Sequence, residues 1–316
     1  MKLKNGIILF VCAFIWGVAF VGQDAADEFV APFTFNCLRF GIGAIFLFLV
    51  SLVMDPLKRF RREKSPKQEL EETKTDYRVL FLAGTLCGVA LFGLSFFQQY
   101  GFVDPKMTSG KAGFLTATYI LMVPLVRLFQ KKIPGINVWV GVFLGLFGLY
   151  FLCISEEFEF SWGDAMVLSC ALVNTFHILL VEKFSPKCDP VKLCALQCAV
   201  VSILNLPFMF FVDKPALVDI GSAMPAILFC AIMSSGIAYC LQLFGQRNVN
   251  PTPAAMIMSL ESVFSAIAGA VVLGQIMPMR QIVGCVILFA AILLAQLPSP
   301  RLFNRKEEIS RVDSGQ

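Results

Sequence analysis

The sequence predicts an all-α integral membrane protein with ten transmembrane helices in two inverted five-helix repeats. Three observations predict it: an excess of apolar over charged residues, ten apolar runs of spanning length, and an internal repeat. Of 316 residues, 57% are apolar and only 15% charged, with a mean hydropathy of +0.75. A soluble domain of this size carries roughly 25% charged residues. The net charge of +4 is small, so no nucleic-acid partner is expected. A lipid bilayer is.

A spanning helix needs about twenty mostly apolar residues. The first candidate, 4–22, follows a basic start, "MKLKN". It has the apolar core of a signal peptide but no A-x-A site, and further spanning runs follow, so it reads as a retained helix. Next comes 33–53, behind the acidic joint "DAADEFVAP". A charged loop at 55–78 leads to 79–101, "FVDPKMTSG" to 109–129 and "QKKIPGI" to 137–154. "SEEFEFSWGD" precedes 163–182, "KFSPKCDP" precedes 192–212 and "VDKPALVD" precedes 224–244. "RNVNPTP" opens 252–273 and "GQIMPMR" opens 279–297. Pro, Gly and charge at these joints are helix punctuation. With the N-terminus in the cytoplasm, twenty-one of the twenty-six Lys and Arg fall on the inner side. That bias places both termini in the cytoplasm of a multi-pass inner or plasma membrane protein.

The chain repeats itself. At a shift of 158, Cys12-Ala13 meets Cys170-Ala171, Pro32 meets Pro190 and Leu38 meets Leu196. Near 143, Gly93 meets Gly236, Gln99 meets Gln242 and Gly141 meets Gly284; at 142, Tyr119 meets Glu261. The expected division is 1–154 for the first repeat, with a cytosolic loop at 55–78, 155–297 for the second, and a polar cytosolic tail at 298–316. Five helices per repeat is an odd number, so the second repeat enters the membrane from the opposite side. Inverted repeats of this kind are the usual build of secondary transporters, with a site near the midplane where the halves meet.

A family resemblance rests on three stretches: "FIWGVAF…APFTFNCLRF", "TSGKAGFLTATYILMVPLVRLF…VWVGVFLGLFGLYFL" and "NPTPAAMIMSLESVF…LGQIMPMRQIVGCVILFAAILL". They resemble the EamA-like branch of the drug/metabolite transporter superfamily over residues 6–152 and 161–296. The resemblance implies ten helices, a central cavity and transport without ATP. It implies export of an amino acid or related metabolite by alternating access. The family's second half usually reads Leu-Glu-Pro-Val and, later, Leu-Gly-Glu. Here Ser262 and Gln275 replace the Pro and the Glu. Ser262 is expected to straighten the ninth helix, because Pro removes a backbone donor.

Polar residues at helical spacing are the candidate site. Trp16, Gln99, Tyr119, Asn174, His177, Tyr239 and Gln242 are expected to contact the solute. The alternative for each is a hydrogen bond between helices, worth about 0.6 kcal/mol. Glu261 and Arg39 are candidates for coupling or gating, with protons as the coupling ion. Lys111 reads either as an interface anchor or as a contact for an anionic solute. Eleven Cys and one His without a CxxC give no zinc site, and the thiols read as small hydrophobes. No Walker A pattern, His-rich cluster, paired Asp or Gly-x-Ser-x-Gly occurs, so neither ATP hydrolysis, enzymatic activity nor a cofactor is expected. A monomer or weak homodimer is expected. The alternatives are an uptake permease, a sugar-derivative carrier, or a structural or signalling membrane protein.

Overall fold

A computed structural model describes residues 2–64, 76–107, 109–131, 134–153, 160–273 and 277–297. Gln275, the centre of the loop expected at 55–78 and the tail 298–316 lie outside the described residues. Among them the chain forms ten helical rods. These are α1 (Leu3–Asp27), α2 (Pro32–Lys64), α3 (Tyr77–Phe102), α4 (Ser109–Ala117 with Tyr119–Phe129) and α5 (Ile136–Cys153). The second repeat supplies α6 (Trp162–Phe184), α7 (Pro190–Asp213), α8 (Leu217–Gly245), α9 (Pro251–Met258 with Glu261–Leu273) and α10 (Met279–Gln296). Nine are long and apolar enough to cross a membrane, and α5 adds a shorter apolar helix.

The joints start helices by identifiable chemistry. Asp189 accepts from the Val191 and Lys192 backbone N–H groups ahead of α7, and Asn250 accepts from Thr252 ahead of α9. Each is followed by Pro at the first helical position, where a missing N–H costs nothing. Ser161 and Asp164 form a capping box at the head of α6. Two boundaries differ from expectation. α2 continues to Lys64, because Lys, Arg and Glu are good helix formers even outside the apolar run. α8 starts at Leu217 rather than 224, carrying Pro225 inside the helix.

Packing follows the repeat. α5 packs on α10, α2 on α7 and α4 on α9, each pairing equivalent helices. Other pairs exchange under the repeat: α3–α6 with α8–α1, α3–α7 with α8–α2, and α4–α6 with α9–α1. This is the contact pattern of two halves related by a pseudo-two-fold axis in the membrane plane. Small residues make the crossings. A Cβ on Gly84 or Gly88 would meet Leu196 and Val200 of α7, and one on Gly141 would meet Ala295 of α10.

The expected straight α9 is not found. The helix is interrupted at Ser259–Leu260, even though Ser262 stands where Pro was missing. The Ser259 hydroxyl donates to the Met256 carbonyl at 2.7 Å, and the Leu260 N–H donates to Ile257 O at 3.1 Å. Such three-back bonds tighten the turn without any proline. α4 breaks at the equivalent place. Thr118 Oγ1 donates to Leu115 O at 2.6 Å, and Tyr119 opens the next segment as Glu261 does in α9.

Candidate functional site

One cavity sits where the two halves meet, enclosing about 470 Å³ including its open mouth. Seven helices line it. Trp16, Phe20 and Gln23 come from α1, Arg39 from α2, Leu94 and Gln98 from α3, and Thr116 from α4. Asn174 comes from α6, Ser234 and Tyr239 from α8, and Glu261 from α9. On α1, α2, α3 and α4 these positions lie between the middle of the helix and the end of the bundle where α1 finishes, whereas Asn174, Ser234, Tyr239 and Glu261 lie at or past the middles of α6, α8 and α9. Trp16, Asn174, Tyr239 and Glu261 therefore make the floor near mid-membrane, and Gln23, Arg39 and Gln98 stand towards the mouth.

The floor is held by ring contacts. Trp16 packs edge-on against Tyr239, with centroids 4.9 Å apart. Gly17 lets α9 come close: a Cβ there would lie 2.7 Å from the Glu261 carbonyl oxygen. Arg39 is 3% exposed and Glu261 7% exposed. Ionisable groups at this depth are expensive and by default mark function. The Arg39 guanidinium donates from Nε to Asn36 Oδ1 at 3.0 Å and from NH1 to Gln23 Oε1 at 3.2 Å. It also lies over the Phe35 and Phe40 rings, at 4.9 and 4.7 Å. Asn36 is fixed in turn by donating to Ser95 O at 3.3 Å.

Of the nine residues expected at the site, the structure brings Trp16, Arg39, Asn174, Tyr239 and Glu261 around this cavity and leaves four off it. Gln99 is fully buried, and its Nε2 donates to Asp27. His177 is fully buried beside Gln197, 3.2 Å from its Oε1, with its ring edge-on behind Tyr239. Gln242 is buried and does not line the cavity. Tyr119 sits in the apolar core of α4, α5, α9 and α10, with its hydroxyl 3.5 Å from Glu261 Oε1. The repeat-equivalent pair Tyr119 and Glu261 thus meet across the pseudo-symmetry axis. The Lys111 ammonium pairs with buried Asp164 at 2.7 Å.

Sequence reasoning missed Gln23, Gln98 and Ser234. Ser234 lies on a stretch of α8, Cys230–Ala238, wound with i→i+5 bonds, so face assignments made at 3.6 residues per turn do not carry across it. In a background without reactive thiols, Gln98→Cys is expected to react with a small hydrophilic thiol reagent. Gln99→Cys and Gln242→Cys are expected to stay unreactive. Reaction at 99 or 242 would return that pair to the cavity wall.

Outside the spans, the α3–α4 turn braces the mouth end of α6. Asp104 accepts from the Lys106 N–H and from the Gly163 N–H, both at 2.9 Å. The Lys106 N–H holds the Asp104 carboxyl below its ordinary range; burial opposes it and the Gly163 N–H adds to it.

Comparisons agree with this architecture. A family model described as the EamA-like transporter family matches residues 4–154 and 161–297. An uncharacterized transporter of Archaeoglobus fulgidus is 28% identical over 94% of this chain and 87% of its own length. The uncharacterized transporter YoaV of Bacillus subtilis is 24% identical over 93% of this chain and 96% of its own. The threonine/homoserine exporter RhtA of Salmonella typhimurium is 24% identical over 60% of this chain and 62% of its own. A solved crystal structure superposes with a TM-score of 0.76 at 18% identity, covering 96% of this chain and all of that one. With both repeats matched over nearly the whole length, the chain belongs to the EamA-like transporter family, as a multi-pass membrane transporter.

Proposed function

We propose that the protein is a secondary transporter that exports an amino acid or related small solute by alternating access, without ATP. The observation that carries this reading is the cavity: a partly polar pocket at mid-membrane, walled by both repeats, with Gln23, Arg39 and Gln98 towards the end where α1 finishes. The opposite end is held by contacts between the halves, as the mouth end also is by Thr34 with Asp213 and Lys111 with Asp164. Asn5 Nδ2 of α1 donates to Gly245 O of α8 at 2.9 Å. Arg127 of α4 grips Glu182 of α6 through two bonds, at 3.0 and 3.1 Å. Lys192 of α7 meets Asp55 of α2 at 2.7 Å. On this reading the Lys and Arg bias favours the cytoplasm for that end, and the residues at the mouth face outward. An inward-facing state requires those contacts to part. RhtA, whose name gives it threonine and homoserine, supports amino acids as the class.

The test is solute counterflow into proteoliposomes free of ATP, screened with labelled amino acids. Saturable exchange is the expected result. Flux that needs ATP, or none with any metabolite of a broad screen, overturns the proposal. Reporter fusions at 65 and at the C-terminus are expected to read cytoplasmic and one at 158 external. A C-terminus on the outer side would reverse the facing of the cavity.

A further inference from the structure

We propose that the cavity holds its solute as a compact zwitterion in one orientation, carboxylate on Arg39 at the mouth and ammonium on Glu261 at the floor. The inference rests on the transport reading above and names what that site recognises.

The two groups are of opposite chemical kind and line one cavity from different repeats. Neither is fully paired by what holds it. Arg39 bonds Asn36 and Gln23, both neutral, and the carboxylate whose charge acts on it, Asp27, is itself engaged by the Gln99 amide. A guanidinium has five N–H donors in a rigid fork suited to a carboxylate. Glu261 receives one long bond, from the Tyr119 hydroxyl at 3.5 Å. Charge-assisted bonds run at about 2.7–2.9 Å, so an ammonium would be the stronger partner. The floor around it suits a cation as well. Trp16 and Tyr239 present ring surface there, and aromatic faces attract ammonium groups.

The levels of the two groups favour a short zwitterion. The Glu261 backbone lies level with Gly17 of α1, and the Arg39 guanidinium is held by the Gln23 side chain of the same helix. Those backbone levels lie about 9 Å apart along the helix, and a solute whose carboxylate and ammonium share one carbon bridges about that distance through two charge-assisted bonds. 4-Aminobutyrate, with three carbons between its charges, must fold to fit the same span. A solute lacking either charge leaves one buried group unpaired, which is how a polar site rejects a near-isostere.

The test uses the wild-type protein in proteoliposomes. Counterflow of labelled α-amino acids is challenged with each acid, its amide, its N-acetyl derivative and 4-aminobutyrate. The amide and the N-acetyl derivative are expected to compete roughly ten- to hundredfold more weakly than the parent acid, and 4-aminobutyrate likewise. Arg39→Lys keeps the charge but loses the fork. It is expected to weaken competition by the acid while leaving the amide's weak competition unchanged. An amide, N-acetyl derivative or 4-aminobutyrate that competes as well as the acid overturns the inference. If a neutral solute exchanges and no zwitterion does, the inference fails and transport stands. If nothing exchanges, both fall.

Discussion

Gly284→Ala is expected to lower the melting temperature and the folded yield. A Cβ on Gly284 would stand 2.5 Å from the Leu152 backbone nitrogen and 2.7 Å from the Gly148 carbonyl oxygen. Across the same crossing, one on Gly148 would stand 2.7 Å from the Leu288 nitrogen. These neighbours are backbone, so no side-chain rotation makes room and α5 must separate from α10. Overpacking typically costs about 1–3 kcal/mol. Helix association in lipid depends on close packing rather than on expulsion of water, so the separated helices regain little. Gly221 supplies the comparison. Nothing lies within 4 Å of a Cβ there, and Ala exceeds Gly in helix propensity by about 1 kcal/mol, so Gly221→Ala should melt at or above wild type. Thermal melting of the two variants side by side checks this. Equal melts would refute the backbone contact between α5 and α10.

The α5–α10 crossing also shows what the sequence makes legible. Gly141 and Gly284 align across the repeat because the two helices need the same close approach. Spans and repeat follow from apolar run lengths and small residues, which are local properties. The site is less legible because facing depends on winding and on neighbours. Gln98 and Gln99 are adjacent, yet only Gln98 lines the cavity, since Asp27 of α1 takes the Gln99 amide. Nothing in either residue announces that. The break ahead of Glu261 was hidden for a similar reason. Ser259 and Thr118 are ordinary hydroxyl residues until their bonds to carbonyls three residues back are in view. Tyr239 lines the cavity while Gln242, three residues on and expected on the same face, does not, and Ser234 sits where regular spacing fails.

Glu261→Gln is expected to fold and to lose solute exchange between equal pools by roughly ten- to hundredfold. The amide is nearly isosteric and still accepts from the Tyr119 hydroxyl, so the bond across the break is retained. What it cannot do is offer a charge to an ammonium. Two other roles for this carboxyl predict different results. A carrier of a coupling proton would leave equal-pool exchange intact and remove accumulation driven by a pH gradient. A purely structural group would shift melting and leave transport per folded molecule unchanged. Tyr119→Phe separates the last case further. It deletes the 3.5 Å bond, which is long for a hydroxyl donor, so a small loss of stability of at most about 1 kcal/mol is expected. Melting and proteoliposome flux of both variants, measured at two pH gradients, distinguish the three roles. Exchange at wild-type rates in Glu261→Gln would remove the carboxyl from solute recognition. Loss of exchange with melting unchanged would place it in contact with the solute, where the cavity floor already positions it.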